Sequence, residues 1–141
     1  MKIRQTVLDR IGVTIGKHKP ETGGVLGIKE NVICSFYFDE NSTRITTEYC
    51  PNISDINFNL GEWAKDGIAF AGIIHSHPNG CAELSATDKE SIFHILKTIN
   101  CLHRLYFPII TFSNNGFLMT VYCAIKLQNE IFIKKTGYEV L

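Results

Sequence analysis

The segment IAFAGIIHSHP (residues 68–78) is an apolar run that becomes polar only at its end. That pattern is typical of a central buried strand that delivers its last side chains to the edge of a sheet. On a strand, residues i and i+2 point to the same face, so His75 and His77 project together whereas Ser76 points away. The predicted strand therefore presents two imidazoles on one face, and Pro78 then turns the chain outward.

Three segments have the apolar spacing of amphipathic helices. The first should end around Gly16 to Pro20, the second should be capped by Ser54 or Asp55 and closed by Gly67, and the third should begin at Ser85. Their inward-facing residues are predicted to be Val7, Leu8, Ile11 and Ile15 in the first, Ile56, Leu60, Trp63 and Ala64 in the second, and Ile92, Ile95, Leu96 and Ile99 in the third.

Strand patterns fill the remaining segments. The sequence predicts two strands around the turn 29–31, a strand in ITTEYC (45–50), a hairpin about Ser113–Gly116 and a last strand in EIFIKK (130–135). Hairpins at both ends imply a mixed sheet. The expected architecture is one α/β domain over residues 1–141, with a mixed sheet flanked by helices.

Composition narrows the class of protein. The chain has 141 residues, 45% of them hydrophobic and 20% charged, which suits one well-buried core better than two domains. Fourteen basic residues balance fourteen acidic ones, so the excess of positive charge that nucleic-acid binding requires is missing. We therefore expect no nucleic-acid partner.

The cysteines and the apolar runs indicate the compartment. Five cysteines without a C-x-x-C pair fit reduced thiols better than a disulfide framework. The N-terminal residues lack the apolar run of a signal peptide, and no stretch approaches the roughly 20 apolar residues of a membrane span. These features predict a cytoplasmic protein without a membrane partner.

Both a metal site and a purely structural role would explain the polar cluster formed by His75, His77, Ser85 and Asp88. Taken alone, His75 and His77 could be polar residues at a strand end, and Ser85 with Asp88 forms the S-x-x-D start of a capped helix. The two interpretations are compatible, because an aspartate in the first helical turn stays ionised near the positive end of the helix dipole. Two imidazoles and one carboxylate would leave the fourth tetrahedral position of a zinc ion open, as in catalytic sites.

The cluster also resembles a family signature. The run His75-Ser76-His77-Pro78, six further residues and then Ser85-Ala86-Thr87-Asp88 is similar to the H-x-H-P-x6-S-x-x-D motif of the JAMM zinc metalloproteases, also called MPN+ or JAB domains. The family's other element, a glutamate before a glycine-rich strand, is similar to ETGGVLG at 21–27. The resemblance covers nearly the whole chain and is strongest with the free-standing prokaryotic type.

This resemblance implies a fold, a cofactor and a reaction. The fold would be cytidine-deaminase-like, with one Zn²⁺ per chain held by His75, His77 and Asp88. Glu21 would activate the metal-bound water, and Ser85 would stabilise the tetrahedral intermediate. The implied substrate is the peptide or isopeptide bond that follows the C-terminus of ubiquitin or a ubiquitin-like protein, so such a protein or its conjugates would be the partner. A further partner protein or a homodimer is also compatible with the family.

Several alternatives remain. HSHPNG also resembles the HNHPSG of RadC-type relatives, and catalytically silent MPN domains serve as scaffolds or binding modules. A nucleoside deaminase would need a P-C-x-x-C run, which the sequence lacks. A cysteine hydrolase built on Cys81 and His77 would need a third orienting group beside them.

Overall fold

The computed structural model describes residues 1–18, 21–45 and 48–141. Within them the helices are α1 (Gln5–Val13), α2 (Ile53–Lys65) and α3 (Ala86–Thr98). The strands are β1 (Lys2–Ile3), β2 (Gly23–Lys29), β3 (Val32–Phe38), β4 (Thr43–Ile45), β5 (Glu48–Cys50), β6 (Ala69–Ser76), β7 (Arg104–Ser113), β8 (Gly116–Leu127), β9 (Glu130–Thr136) and β10 (Glu139–Val140). None of the described helices is long and apolar enough to cross a membrane.

Eight of these strands form one sheet in the order β10-β1-β3-β2-β6-β7-β8-β9. Strand β6, which contains His75 and ends just before His77, lies inside this sheet, antiparallel to β2 and parallel to β7. Helix α3 lies between β6 and β7 in the chain, as a parallel pair requires a crossover. The predicted mixed sheet and the central position of this strand are confirmed.

Each face of the sheet carries a hydrophobic core. One core packs α1 against residues such as Leu26, Ile74 and Ile110, and the other packs α3 against residues such as Phe107 and Ile109. Because side chains alternate along β6, the histidines share a face with Ile73, which packs against the α3 core. They therefore point toward the beginning of α3.

Four local predictions were wrong. Helix α1 ends at Val13, before the predicted limit at Gly16, although Ile15 is fully buried beyond it. The cap of α2 is Asn52, whose side chain accepts the backbone N–H of Asp55; the predicted caps Ser54 and Asp55 lie inside the helix. The last two errors concern residues predicted to face inward. Ala64 is exposed, and Ile99 is 37% exposed just past the end of α3.

The segment ITTEYC, predicted as one strand, also differs. Its residues Thr46 and Thr47 lie outside the described residues. On either side of them, β4 and β5 pair antiparallel in a separate two-stranded sheet. The short terminal strands β1 and β10, which pair in parallel, were not predicted.

The two glycines of ETGG explain how closely the strands pack at the start of β2. A Cβ on Gly24 would lie 2.0 Å from the carbonyl oxygen of Tyr37, and one on Gly23 would lie 2.7 Å from the carbonyl oxygen of Ile74. Glycine is therefore the residue that fits at both positions.

Candidate metal centre

Three potential metal ligands converge above the end of β6. The Nε2 atoms of His75 and His77 are 2.8 Å apart, and Asp88 places Oδ1 at 3.1 Å from the first and Oδ2 at 3.2 Å from the second. All three residues are buried, with exposed fractions of 3%, 6% and 8%. Among the described residues they form the one group of this kind that could hold a metal ion.

The separations fit a zinc ion. Tetrahedral ligands at bond lengths of about 2.0–2.1 Å lie roughly 3.3 Å from one another. The distance of 2.8 Å between the two Nε2 atoms, and those of 3.1 and 3.2 Å from these nitrogens to the two oxygens of Asp88, are within about half an ångström of that value. Two imidazole nitrogens facing each other beside a carboxylate form a donor set that suits zinc.

Backbone hydrogen bonds on both sides hold the end of β6. The N–H of Ser76 donates to the Thr22 carbonyl at 2.9 Å, and the N–H of His77 donates to the Ile110 carbonyl at 2.9 Å. The Ser76 hydroxyl, fully buried on the opposite face, accepts the Thr22 N–H at 3.2 Å. The two histidines thus project from a strand that is fixed from both neighbours.

The ring of His75 is held by aromatic side chains. Tyr49 stacks on it with a centroid distance of 6.1 Å and an interplanar angle of 18°. Phe107 meets it edge-on at 5.2 Å. These contacts restrict rotation of the ring and keep its Nε2 directed at His77 and Asp88.

The loop after β6 orients the second ring. Asn79 and Gly80 both have positive φ, and the Cys81 N–H donates to the Pro78 carbonyl at 3.2 Å, so the chain turns back on itself. This turn places the Cys81 carbonyl 3.1 Å from Nδ1 of His77. A proton on Nδ1 that is donated to this carbonyl leaves Nε2 with its lone pair, which is the tautomer that a metal ligand requires.

Asp88 belongs at once to the helix start and to the cluster. The Ser85 hydroxyl accepts the Asp88 N–H at 3.0 Å, and Asp88 Oδ2 accepts the Ser85 N–H at 2.8 Å, which completes a capping box. The same carboxylate faces both histidines. The structural and metal-binding interpretations of S-x-x-D therefore describe one arrangement.

The electrostatics keep this carboxylate ionised. Burial acts to raise the pKa of Asp88, but hydrogen bonds from His75 and His77 outweigh it and bring the pKa well below its usual range. Burial acts to lower the pKa of His77, whereas Asp88 and Glu21 raise it above its ordinary value. In the absence of a metal the cluster therefore favours a negative carboxylate beside a proton-binding imidazole.

Glu21 lies at the side of the same cluster, just before β2. It is partly buried, and its Oε2 accepts the backbone N–H of Tyr49 at 3.0 Å. Burial raises the pKa of Glu21, although the neighbouring His75 and His77 oppose that shift. A carboxyl group in this environment binds a proton more readily than an exposed one.

All five predicted site residues line one cavity of about 360 Å³. Glu21 and Ser85 share it with His75, His77 and Asp88. Its remaining lining residues are Glu48, Tyr49, Pro51, Ile73, Pro78, Asn79, Cys81, Glu83, Leu84, Thr87, Ser91 and Phe107. The other three histidines, His18, His94 and His103, are exposed and lie outside it.

The sequence did not reveal three of the contacts that shape this site. Tyr49 and Phe107 come from distant strands, and the Cys81 contribution is a backbone carbonyl. No pattern of side chains points to a backbone atom. All five cysteines are free thiols, and Cys81 is exposed.

The chain matches a known protein family over most of its length. Residues 10–123 match the sequence model of a family described as prokaryotic homologs of the JAB domain. The chain belongs to this prokaryotic JAB family. A search of curated proteins found no match to it.

Solved structures carry the same JAB fold. A solution structure of protein DSY2949 from Desulfitobacterium hafniense is 15% identical, with a TM-score of 0.74, and the alignment covers 99% of this chain and 92% of that one. The crystal structure of AF2198, a JAB1/MPN domain protein from Archaeoglobus fulgidus, is 18% identical, with a TM-score of 0.51 and coverage of 100% and 99%. The fold expected from the sequence resemblance is therefore confirmed.

Proposed function

We propose that this JAB domain is a zinc-dependent peptidase that cleaves the peptide or isopeptide bond after the C-terminus of a ubiquitin-like protein. The observation that carries the proposal is the convergence of His75, His77 and Asp88 in a cavity that Glu21 and Ser85 also line. Family membership supports the reaction class, because metalloproteases occur among JAB domains. The ubiquitin-like substrate rests on the sequence resemblance alone.

His75, His77 and Asp88 would hold the metal. Zinc bound by these residues would polarise a carbonyl and lower the pKa of water to about 7. The three side chains need little movement to bind it, since strand and helix hydrogen bonds already fix them. One ion per chain matches the single cluster among the described residues.

Glu21 is the proton carrier in this proposal. Its carboxylate accepts a proton from the attacking water and returns it to the departing amine, so the reaction leaves the enzyme unchanged. The raised pKa suits this role, because a stronger base takes the proton more readily. The hydrogen bond from the Tyr49 N–H fixes one carboxylate oxygen, Oε2, and within the described residues no hydrogen bond occupies the other oxygen, which can exchange protons.

Ser85 is the oxyanion donor. Its oxygen accepts the Asp88 N–H, which leaves the hydroxyl proton free to be donated elsewhere. The residue is exposed on the wall of the cavity, within reach of a substrate. A hydroxyl held by a helix cap is preorganised, and a preorganised donor stabilises charge that develops in the transition state.

The cavity suits a short peptide segment. A volume of about 360 Å³ accommodates a drug-sized molecule or a few residues of chain, and it excludes a folded domain. An extended C-terminal tail meets this limit. The cytoplasmic location and a partner protein or homodimer stay predictions.

Zinc content and cleavage test the proposal together. Elemental analysis of the purified protein should give about one zinc per chain, and cleavage of a panel of ubiquitin-like proteins fused through their C-termini should stop with a chelator. The variant Glu21→Gln should keep its zinc and lose about 10²- to 10⁴-fold in kcat, since only the base is removed.

A matched control separates this effect from a general loss of charge. Glu62→Gln, on the exposed surface of α2, should leave turnover unchanged. Near-normal turnover by Glu21→Gln would contradict the assigned role. Zinc binding without cleavage of any panel member would favour a scaffold or RadC-like function.

A further inference from the structure

We infer that Tyr49 and Asp39 form a positioning pair for the site, in which Tyr49 fixes both Glu21 and the ring of His75 while Asp39 anchors Tyr49. The inference rests on the proposed function only for its effect on catalysis, because the pair itself is a structural arrangement. It adds a requirement outside the motif residues: without the pair, the proton carrier is misplaced.

Tyr49 touches two of the five site residues at once. Its backbone N–H donates to Glu21 Oε2 at 3.0 Å, and its ring stacks on His75 with an interplanar angle of 18°. One residue thus connects the carboxylate that would move protons with a ligand that would hold the metal. A shift of Tyr49 would move both groups relative to each other.

The strand that carries Tyr49 has few other attachments. β5 pairs only with β4 in the described residues, in a two-stranded sheet apart from the eight-stranded one. The side chain of Glu48 adds one exposed hydrogen bond, from the Thr87 hydroxyl at 3.1 Å. The position of β5 over the site therefore depends on side-chain contacts.

Asp39 supplies the main anchor. Its Oδ2 accepts hydrogen bonds from the Tyr49 hydroxyl at 2.9 Å and from the N–H of Asn52 at 2.8 Å. It therefore fixes one residue within β5 and one residue shortly after the strand ends. The N–H of Asp39 in turn donates to the Gly23 carbonyl at 3.0 Å. With an exposed fraction of only 1%, the carboxylate depends on such hydrogen bonds to compensate for lost water.

Gly23, which lies opposite His75 on the neighbouring strand, makes room for this arrangement. Gly23 pairs with His75, and a Cβ on Gly23 would lie 2.7 Å from Cε1 of Tyr49. The ring therefore lies directly against the backbone of β2. A role in filling space would explain the position of the Tyr49 ring. It would not explain why the Tyr49 N–H donates to Glu21 and the Tyr49 hydroxyl donates to Asp39.

The variant Tyr49→Phe tests the pair, because it keeps the ring on His75 and removes only the hydroxyl that Asp39 binds. With the anchor lost, we expect amide hydrogen exchange at residue 49 to become at least about tenfold faster. We expect kcat to fall about 10- to 100-fold through misplacement of Glu21, with KM changed less than about twofold. Zinc affinity, measured by competition with a chelator, should fall by less than the roughly 10-fold that loss of a contact to a ligand costs, because Tyr49→Phe retains the ring that stacks on His75.

Two further variants define the outcome. Tyr106→Phe is the matched control, since this half-buried tyrosine of β7 makes no hydroxyl hydrogen bond in the described part of the chain; exchange at residue 49 and kcat should both stay normal. In a Glu21→Gln background, Tyr49→Phe should lower the residual kcat no further, because its effect passes through Glu21. A purely structural role would lower kcat equally in both backgrounds.

The two proposals fail in different ways. If the wild type cleaves its substrate and Tyr49→Phe keeps normal kcat, the positioning role is wrong while the peptidase stands. If no substrate is cleaved, the exchange measurement still decides: unchanged exchange at residue 49 overturns the pair, and accelerated exchange supports the pair although the peptidase proposal has failed.

Discussion

Helices α2 and α3 begin in the same way and are used differently. Each has 13 residues, and each starts at a polar cap whose side chain accepts the backbone N–H of an aspartate three residues later. The cap distances are 3.2 Å between Asn52 and Asp55 and 3.0 Å between Ser85 and Asp88. The two helix starts share this cap, and they differ in that only Asp88 returns a hydrogen bond to the N–H of its cap residue.

The two aspartates differ in the burial of their carboxylates and in the side chains that these contact. The Asp55 carboxylate lies near the surface, where its Oδ2 accepts a hydrogen bond from the Asn41 side chain at 3.2 Å. The Asp88 carboxylate is buried and faces His75 and His77 at the end of a central strand. The aspartate of such a helix start is therefore a candidate metal ligand in α3, where the sheet brings two histidines to it, and not in α2.

The largest difference between the two helix starts should appear in zinc affinity when each aspartate side chain is removed. Asp88→Ala should weaken zinc binding by more than about 100-fold, beyond the roughly 10- to 100-fold that changes outside the ligand set cause, and activity should disappear with the metal. Asp55→Ala should leave zinc affinity unchanged. Titration against a chromophoric chelator measures both, and full zinc affinity in Asp88→Ala would place the metal elsewhere.

Removal of each cap should have the next largest effect. Ser85→Ala and Asn52→Ala should each lower the free energy of unfolding by about 1 kcal/mol, since each removes one cap. Ser85→Ala should also lower kcat by about 10²- to 10³-fold, as expected for loss of an oxyanion donor. Denaturant unfolding and turnover separate the two effects. Equal turnover in both variants would reduce Ser85 to a cap.

The pKa shifts of Asp88, at the start of α3, and of His77 should make the stability of the metal-free protein depend on pH. The lowered pKa of Asp88 adds stability above its unfolded value of 3.8, and this stability is lost as the pH falls through the folded pKa. The raised pKa of His77 adds stability below its unfolded value of 6.5, which is lost as the pH rises through the folded pKa.

The pair should therefore contribute most between about pH 4 and pH 6.5. Within that window, metal-free Asp88→Asn should be less stable than the wild type by on the order of 2 kcal/mol, and the difference should shrink on either side. Urea unfolding at a series of pH values provides the measurement. A difference that stays constant with pH would show that the carboxylate charge contributes nothing.

The smallest effect is expected when one cap is exchanged for the other type. Asn52→Ser should change the free energy of unfolding by no more than a few tenths of a kcal/mol, because serine and asparagine cap helices almost equally well. Thermal unfolding is sufficient to check it. A loss near 1 kcal/mol would mean that Asn52 contributes more than its cap to α2.

The central strand and the motif residues were predictable because their signals are local. The apolar run that ends in His75 and His77 indicated a buried strand, and S-x-x-D indicated a helix start at Ser85. The face on which both imidazoles project follows from strand geometry alone. Glu21 was proposed through resemblance to a family motif, because a single glutamate has no periodicity that marks it.

Other features depend on contacts that the sequence does not encode locally. Tyr49 and Asp39 matter because folding brings their hydroxyl and carboxylate together across ten positions of chain. The cap of α2 was misplaced because Asn52, Ser54 and Asp55 are all good caps within four residues, so the choice depends on where the chain leaves β5. Strands of two residues are too short to show any alternation.

The attachment of β6 to both of its neighbours has a consequence for how the protein would acquire its metal. Because backbone hydrogen bonds hold the chain at both histidines and a helix cap holds Asp88, the proposed ligands would be positioned by the fold itself, unlike those of zinc fingers, which fold only on binding the metal. Synthesis and loading are then separate events. A finished, empty pool of the protein would respond to the free zinc concentration, so metal supply would set the number of active molecules without any new translation.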